Sequence, residues 1–488
     1  MGDQQERQPL LNDTANGNNA NGKPYHVSFE DGVEGQNPLE WSKKYKWFSV
    51  ALLCGFAAIV TYTCIGIVPV ADEVVTELAG HPDREATVLF VTIWELGEAT
   101  GPLFIAPLSE IFGRFVVYNV ANCLFIAGVA VTALSQNLGL LIFARFATGC
   151  AVAANVLNPA IIGDIFPSES RGAAMSAVML APLIGGALGP TISGSLAEAT
   201  GWREIMWLCV GIAGVIEVLF LVLFRETYAP TLLHRIAKKK RQETGDDSWT
   251  TPEAEEGAGS TRTLLRSMTR PARIVWSSSL LQLMSLWGGL VFSFFYVNST
   301  SLPDILKVVY GFSPSKRGLS YLAWTLGSCI GLTACNRLMD PIYNRLTKRR
   351  NDFYPEGRLP LCIFGAFLLP LAVGLYGGTA GNHMPVFVFL STVTLLCIAV
   401  VTSIVPLMTF ITDAFGRYSA SALTATLIIR CLMGAFLPLT VPPLSEKVGY
   451  GPAFLVLAGV CLLLAPIPLL VMRYGPSWRQ KSSFSEDS

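Results

Sequence analysis

Charged residues are scarce in this chain. Only 14% of its 488 residues are Asp, Glu, Lys or Arg, whereas a soluble domain of ordinary composition carries about 25%. Hydrophobic residues reach 51%, and the mean hydropathy is +0.47. This composition excludes an ordinary soluble domain and indicates a protein with many segments inside a membrane.

Residues and motifs that carry enzymatic chemistry are also sparse. The four histidines do not cluster, and no nucleotide-binding Gly-rich loop or nucleophile elbow is present. The eleven cysteines lie mostly in apolar segments without paired spacing, which predicts neither a disulfide framework nor a zinc site. No early apolar run could serve as a cleavable signal. We therefore expect no enzyme, no cofactor, no metal, no nucleic-acid partner and no direct use of ATP.

The chain does contain about a dozen apolar segments of about 20 residues, which is the length that crosses the hydrocarbon of a bilayer as a helix. Runs this long and uniformly apolar do not fit barrel strands. The predicted spans are 47–70, 88–109, 115–134, 138–163, 172–197 and 204–224, and then 275–299, 316–336, 358–378, 384–411, 418–441 and 452–473.

A polar tract divides these spans into two sets of six. The predicted units are a disordered cytoplasmic tail (1–44), an N-terminal six-helix bundle (45–225), a cytoplasmic linker (226–273), a C-terminal six-helix bundle (274–474) and a cytoplasmic tail (475–488). With both termini in the cytoplasm, most Lys and Arg residues fall on the inner side and the loop after the first span is acidic. The positive-inside rule therefore predicts this orientation.

The segment between spans 2 and 3 combines Leu108, Glu110, Gly113 and Arg114. It resembles the signature loop of the major facilitator superfamily, with Glu110 in place of the usual aspartate. Such a loop needs a sharp turn at Gly113, and an acid and a base close enough to lock an inner gate.

Span 4 contains an arginine, Arg145, among apolar residues. A charge there costs about 2.5–3.5 kcal/mol on insertion scales, so it should face the bundle interior or a wet cavity. The resemblance implies a role in proton coupling, and a structural ion pair is the alternative. Asp164 resembles the family acid that pairs with the loop arginine, although a solvated cap is equally consistent. Arg171 continues this motif.

Span 5 carries Gly185, Gly189, Pro190 and Gly194. Small residues at this spacing let helices approach closely, and proline weakens the helical hydrogen-bond ladder. The pattern is similar to the antiporter motif of the fungal drug:proton antiporters with twelve spans. That resemblance implies an all-α major facilitator fold of two six-helix bundles, acting as a monomer on a small molecule and driven by a proton gradient.

Two acids in span 2, Glu95 and Glu98, are the clearest candidates for proton binding. A proton-driven carrier needs a titratable group inside the membrane, and their i,i+3 spacing places them near one helical face. The alternative is that one or both lie near the outer funnel and pair with a basic group.

Other polar groups inside spans are candidates for substrate contact, although each could equally be a hydrogen bond between helices. They are Asn155, Asn158, Gln282, Tyr296, Asn298 and Arg430. The sequence Asn298-Ser-Thr300 is also a glycosylation sequon on the predicted outer side.

The resemblance implies export of a small organic compound, such as a drug, toxin or secondary metabolite, in exchange for protons. Uptake by proton symport or by facilitated diffusion is the alternative within transport. A membrane receptor or scaffold on a carrier fold is the alternative of another class. The expected location is the plasma membrane, with a vacuolar or vesicular membrane as the alternative.

Overall fold

The computed structural model describes residues 25–31, 36–167, 170–245, 249–251, 269, 272–350 and 354–479. In the first half the helices are α1 Lys43–Gly66, α2 Ala71–Ala79, α3 Arg84–Phe112, α4 Arg114–Leu134, α5 Leu138–Cys150, α6 Ala154–Ile165, α7 Arg171–Thr200, α8 Trp202–Leu223 and α9 Ala229–Thr244. In the second half they are α10 Ser279–Val308, α11 Pro314–Arg350, α12 Leu359–Gly381, α13 Val386–Phe415, α14 Ser419–Phe436, α15 Val441–Val448, α16 Tyr450–Leu464 and α17 Ile467–Arg479.

Eleven helical segments of the described chain are long and apolar enough to cross a membrane. The fourth predicted span differs, because it consists of the two shorter helices α5 and α6. Between α5 and α6 the backbone forms a tighter turn, in which the Val152 N–H donates a hydrogen bond to the Gly149 carbonyl three residues back. The prediction of one continuous helix is therefore wrong at Ala151–Ala153.

Local sequence explains where several helices begin and end. The side chain of Asp83 accepts a hydrogen bond from the Ala86 N–H at the start of α3, and Asn137 caps α5 in the same way. Gly113, with φ of +93°, separates α3 from α4. A side chain is strained at that angle, so glycine permits the sharp turn that the sequence predicts.

Two pairs of helices join the first half of the bundle to the second. Within the halves, α1 packs on α7 and α3 on α5, while α12 packs on α13 and α10 on α14. Between the halves, α7 packs on α11 and α3 packs on α14. Any group on these two interfaces is therefore sensitive to the relative position of the halves.

The amino-terminal segment contacts the linker. Strand β1 (Tyr25–His26) pairs in parallel with β2 (Trp249–Thr250), and Val27 is buried against Ile236 and Ala237 of α9. Residues 25–31 are therefore ordered against the linker, which corrects the prediction of a disordered tail for that segment. Residues 1–24, 252–268 and 480–488, which include much of the predicted tails and part of the linker, lie outside the described residues.

Candidate functional site

An ion pair near the middle of the membrane joins the two halves. Glu95 and Glu98 of α3 are both buried, with exposed fractions of 1% and 8%. Arg430 of α14 lies with its Nη2 3.9 Å from Oε1 of Glu98, and the indole N–H of Trp94 donates to Oε2 of Glu98 at 3.3 Å. Glu98 is thus held by one cation and one neutral donor.

Glu95 has different neighbours from Glu98. The hydroxyl of Tyr296 and the thiol of Cys431 lie beside its carboxyl group. Its Oε2 atom is buried and has no hydrogen-bond partner within the described part of the chain. Gly434 of α14 lies against this oxygen, and a Cβ at that position would stand 3.5 Å from it.

Arg145 is fully buried but does not form an ion pair with any described residue. It donates to the backbone carbonyls of Thr63 at 3.0 Å and Cys64 at 2.9 Å, both in α1. Its guanidinium also stands 4.6 Å from the ring centre of Trp94. Both partners are neutral carbonyls, so the guanidinium of Arg145 is satisfied by hydrogen bonds to the backbone of α1.

The cluster closes through Tyr296, whose hydroxyl contacts the Cys64 sulfur at 3.4 Å. Glu95, Glu98, Arg145, Tyr296 and Arg430 are hereafter called the central cluster. Its members come from α3, α5, α10 and α14, and thus from both halves. Two acids and two arginines are packed together at the interface between the halves. Such a group can bind a proton, and release of that proton changes the net charge at the interface.

The inner end carries a second polar group, built around the signature loop. Arg114 pairs with Asp164 at 3.4 Å, as the resemblance implies. Glu226 is a residue that the sequence analysis missed. Its carboxylate accepts from the N–H groups of Arg114 at 2.9 Å and Phe115 at 3.2 Å, and it therefore caps α4. The available signal was an acid directly after the apolar run of span 6.

Glu110, which was expected to be the acid of this gate, is exposed in this structure. The carboxylates that contact Arg114 here are those of Asp164 and Glu226. Arg171 donates to the carbonyls of Gly163 at 2.8 Å and Phe166 at 3.2 Å, so it caps the end of α6. Leu108 is half-buried and lines an apolar cavity of about 440 Å³ between α3, α4 and α5.

The antiporter motif allows α7 to pack closely against two other helices. A Cβ on Gly185 would stand 2.1 Å from the Ala58 carbonyl oxygen of α1, and Gly189 also packs against α1. Farther along, Gly194 faces the backbone of α11, and a Cβ on Gly318 would stand 2.1 Å from the carbonyl oxygen of Pro190. The motif therefore holds α1 within its own half and α11 of the other half.

At the predicted outer end, ion pairs connect the halves. Arg317 of α11 is 1% exposed and binds Asp72 at 3.1 Å and also Glu73, both in α2. Arg84 of α3 stands 3.6 Å from Asp304 of α10. Arg317, Asp72, Glu73, Arg84 and Asp304 are hereafter called the outer cluster.

The ion pairs of the described residues indicate which end of the protein is closed. Pairs between the halves occur in the outer cluster, where Lys307 and Glu446 also pair with its members, and at Arg430. At the inner end the pairs stay within one half, as in Arg114–Asp164 and in Arg358, which binds Asp340 and Asp413. The halves are therefore tied together outside and in the middle.

An apolar cavity of about 300 Å³ lies between the halves on the inner side of the Gly194–Gly318 contact. Helices α1, α7, α10, α11 and α13 supply its walls. Its aromatic side chains are Phe295, Tyr321 and Trp324, and the Phe295 ring meets Trp324 edge-on with centres 4.4 Å apart. A cavity of this character suits an apolar or aromatic molecule.

Two of the predicted substrate contacts lie elsewhere. Asn158 is buried within the first half, where its side-chain oxygen accepts a hydrogen bond from the Tyr118 hydroxyl at 2.8 Å. Gln282 is exposed near the start of α10, where it donates to the carbonyl of Val275 at 3.0 Å. The side chain of Asn155 lies outside what the structure describes. Tyr296 and Arg430 belong to the central cluster.

Asn298 is also placed differently from its prediction. It is fully buried inside α10, and its amide nitrogen faces the Cys397 sulfur at 4.0 Å. A glycan needs a surface position, so the prediction of glycosylation at Asn298 is contradicted. The sequon lies within a packed helix because α10 continues to Val308.

Comparisons with solved structures show the fold. The xylose transporter XylE from E. coli, in a partially occluded inward open conformation, matches with a TM-score of 0.64 at 15% identity, covering 88% of this chain and 99% of that chain. A bacterial homologue of the human lysosomal transporter Spinster, in an inward-facing conformation, matches with a TM-score of 0.57 at 14% identity, covering 91% and 98%.

Sequence comparisons identify the family. The family model described as Major Facilitator Superfamily matches residues 50–438. The MFS transporter cpaT of Aspergillus oryzae is 31% identical over 460 residues, which cover 94% of this chain and 92% of that protein. The efflux pump radE of Floropilus chiversii is 32% identical over 467 residues, covering 94% and 86%. The chain therefore belongs to the Major Facilitator Superfamily, and it is a multi-pass membrane transporter of small molecules and not an enzyme.

Proposed function

We propose that this protein exports a small organic compound in exchange for protons, by alternating access. The central cluster is the observation that carries the proposal. Its acids are buried on the α3–α14 interface, where Glu98 forms an ion pair with Arg430 of the other half. Because protonation changes the charge at this interface, it changes the relative stability of the two positions of the halves.

The cavity and the relatives support the substrate class and the direction. The aromatic walls of Phe295, Tyr321 and Trp324 favour a bulky and mostly uncharged molecule. The relative radE is named an efflux pump, and the Gly185–Gly194 motif resembles that of antiporters. We infer export of a fungal secondary metabolite or toxin from the cytoplasm, across the plasma membrane, by a single chain acting alone.

Everted membrane vesicles from a host that expresses the full chain would test this function. With an acidic lumen, a panel of labelled apolar aromatic compounds should contain members that accumulate inside, and a protonophore should abolish that accumulation. The double variant Glu95→Gln/Glu98→Gln should lose the gradient-driven accumulation. Glu204→Gln, which changes an exposed acid of α8, is the matched control and should retain it.

Two outcomes would refute the proposed function. Accumulation in right-side-out vesicles with acid outside would indicate proton symport into the cell. Equilibration of the labelled compounds across the membrane, independent of any imposed pH gradient, would indicate facilitated diffusion.

A further inference from the structure

We propose that Glu95 is the acid that binds the transported proton, and that Glu98 serves as the counter-ion of Arg430. The inference rests on the proposed proton coupling and deepens it, because the sequence offers two acids of the same type three residues apart. The two side chains differ in the charges that surround them, and only the folded structure reveals this difference.

Glu98 is suited to remain ionised. Its carboxylate faces the guanidinium of Arg430 at 3.9 Å and accepts from the Trp94 indole at 3.3 Å. The guanidinium of Arg430 lies in turn 4.1 Å from the ring centre of Phe292, which limits where it can move. A buried carboxylate with a cation and a hydrogen-bond donor is satisfied in its charged form.

Glu95 is suited to carry a proton. Its neighbours are the neutral groups of Tyr296 and Cys431, and its Oε2 atom is buried without a hydrogen-bond partner among the described residues. An ionised carboxylate is costly in a dry site that lacks a direct cation. The protonated form removes that charge and supplies an O–H donor.

The bases around Glu95 are already engaged. Arg145 is held by the carbonyls of Thr63 and Cys64, and Arg430 is held by Glu98. On the remaining packed elements, Tyr296 of α10, Cys64 of α1 and Cys431 of α14 are uncharged groups near the acid. When Glu95 releases its proton, it becomes a second carboxylate that competes with Glu98 for Arg430.

This competition provides a physical link between the proton and the motion of the halves. Residues three apart on a helix are separated by about 4.5 Å along its axis. Glu95 is nearer the outer end of α3 than Glu98. A shift of Arg430 from Glu98 toward Glu95 would therefore pull α14 along α3, and this pair of helices spans the interface between the halves.

Infrared difference spectroscopy on the purified full chain in lipid nanodiscs would test the assignment without any substrate. A buried protonated carboxyl group gives a carbonyl stretching band that ionised carboxylates lack, and the band disappears as the pH is raised. Glu95→Gln should abolish this band, whereas Glu98→Gln should retain it at acidic pH. Glu217→Gln is the matched control, because Glu217 is a buried acid bound to Asn122 outside the central cluster.

A band that survives in Glu95→Gln but disappears in Glu98→Gln or in Glu217→Gln would overturn the assignment. A wild-type protein without any titrating band would overturn it as well. The outcome is separable from that of the proposed function. If the band belongs to Glu95 but vesicles show no response to a pH gradient, the assignment stands and the proposed proton coupling fails.

Discussion

Replacing Arg317 by glutamine should open the predicted outer end of the protein. Arg317 is buried and binds Asp72 and Glu73 across the interface between the halves. Hydrogen bonds to charged groups contribute about 1.5–3 kcal/mol each. The two acids are 30% and 41% exposed, so solvent screening lowers this figure to about 2 kcal/mol for both contacts together.

That energy acts on the equilibrium between the closed and open states of the outer end. Because about 1.4 kcal/mol corresponds to a factor of ten, the ratio of closed to open should fall by about 30-fold. The variant removes the cation that both acids share, while Lys307 of the other half still pairs with Asp72. The open state gains population even though neither half loses an internal contact.

Hydrogen–deuterium exchange of the protein in nanodiscs would measure this change. Peptides from α2 and from the end of α10 should exchange faster in Arg317→Gln than in the wild type. Arg203→Gln is the matched control, since Arg203 binds Glu77 within the same half and at the same end. Unchanged protection in Arg317→Gln, or equal acceleration in the control, would refute the reasoning.

Three further changes have defined outcomes. Gly318→Val should prevent the close approach of α11 to α7 and reduce transport in the vesicle assay. Gly211→Val is the control, because a Cβ at Gly211 would meet no atom within 4 Å, and it should leave transport unchanged. Glu226→Ala should lower thermal stability by about 1–2 kcal/mol through loss of the α4 cap, and equal stability of Glu226→Ala and Glu110→Ala would contradict this role. Glu356→Ala should cost about 3–5 kcal/mol in a denaturation assay, because it removes the buried carboxylate that Arg479 contacts at 3.0 Å.

The candidate site was only partly predictable. The acids of span 2 and the arginines Arg145 and Arg430 could be found from sequence, because a charge within an apolar run is costly and therefore conspicuous. Glu226 was missed because it directly follows an apolar run, where an acid is unremarkable in sequence. Glu110 was chosen by its place in the loop, and in this structure it is exposed while Asp164 and Glu226 contact Arg114.

The amides in the spans show a similar limit. Asn158 and Asn298 are conspicuous in apolar segments, yet both face other helices and not the cavity. An amide inside a membrane needs a partner, and sequence does not tell which neighbour provides it. The same holds for the break in span 4, where the tightened turn at Ala151–Ala153 has no strong helix-breaking residue at its centre.

The sequence by itself determined the membrane class, the number of crossings, their predicted orientation and the family. These follow from local quantities, namely the length of apolar runs, the side on which Lys and Arg accumulate, and short motifs with fixed spacing. Only the tertiary structure decided that Arg430 forms its ion pair with Glu98, while Glu95 lies against Tyr296 and Cys431. Electrostatic neighbours in a helical bundle come from helices far apart in the chain, so the charge state of a buried acid depends on packing and not on the adjacent residues.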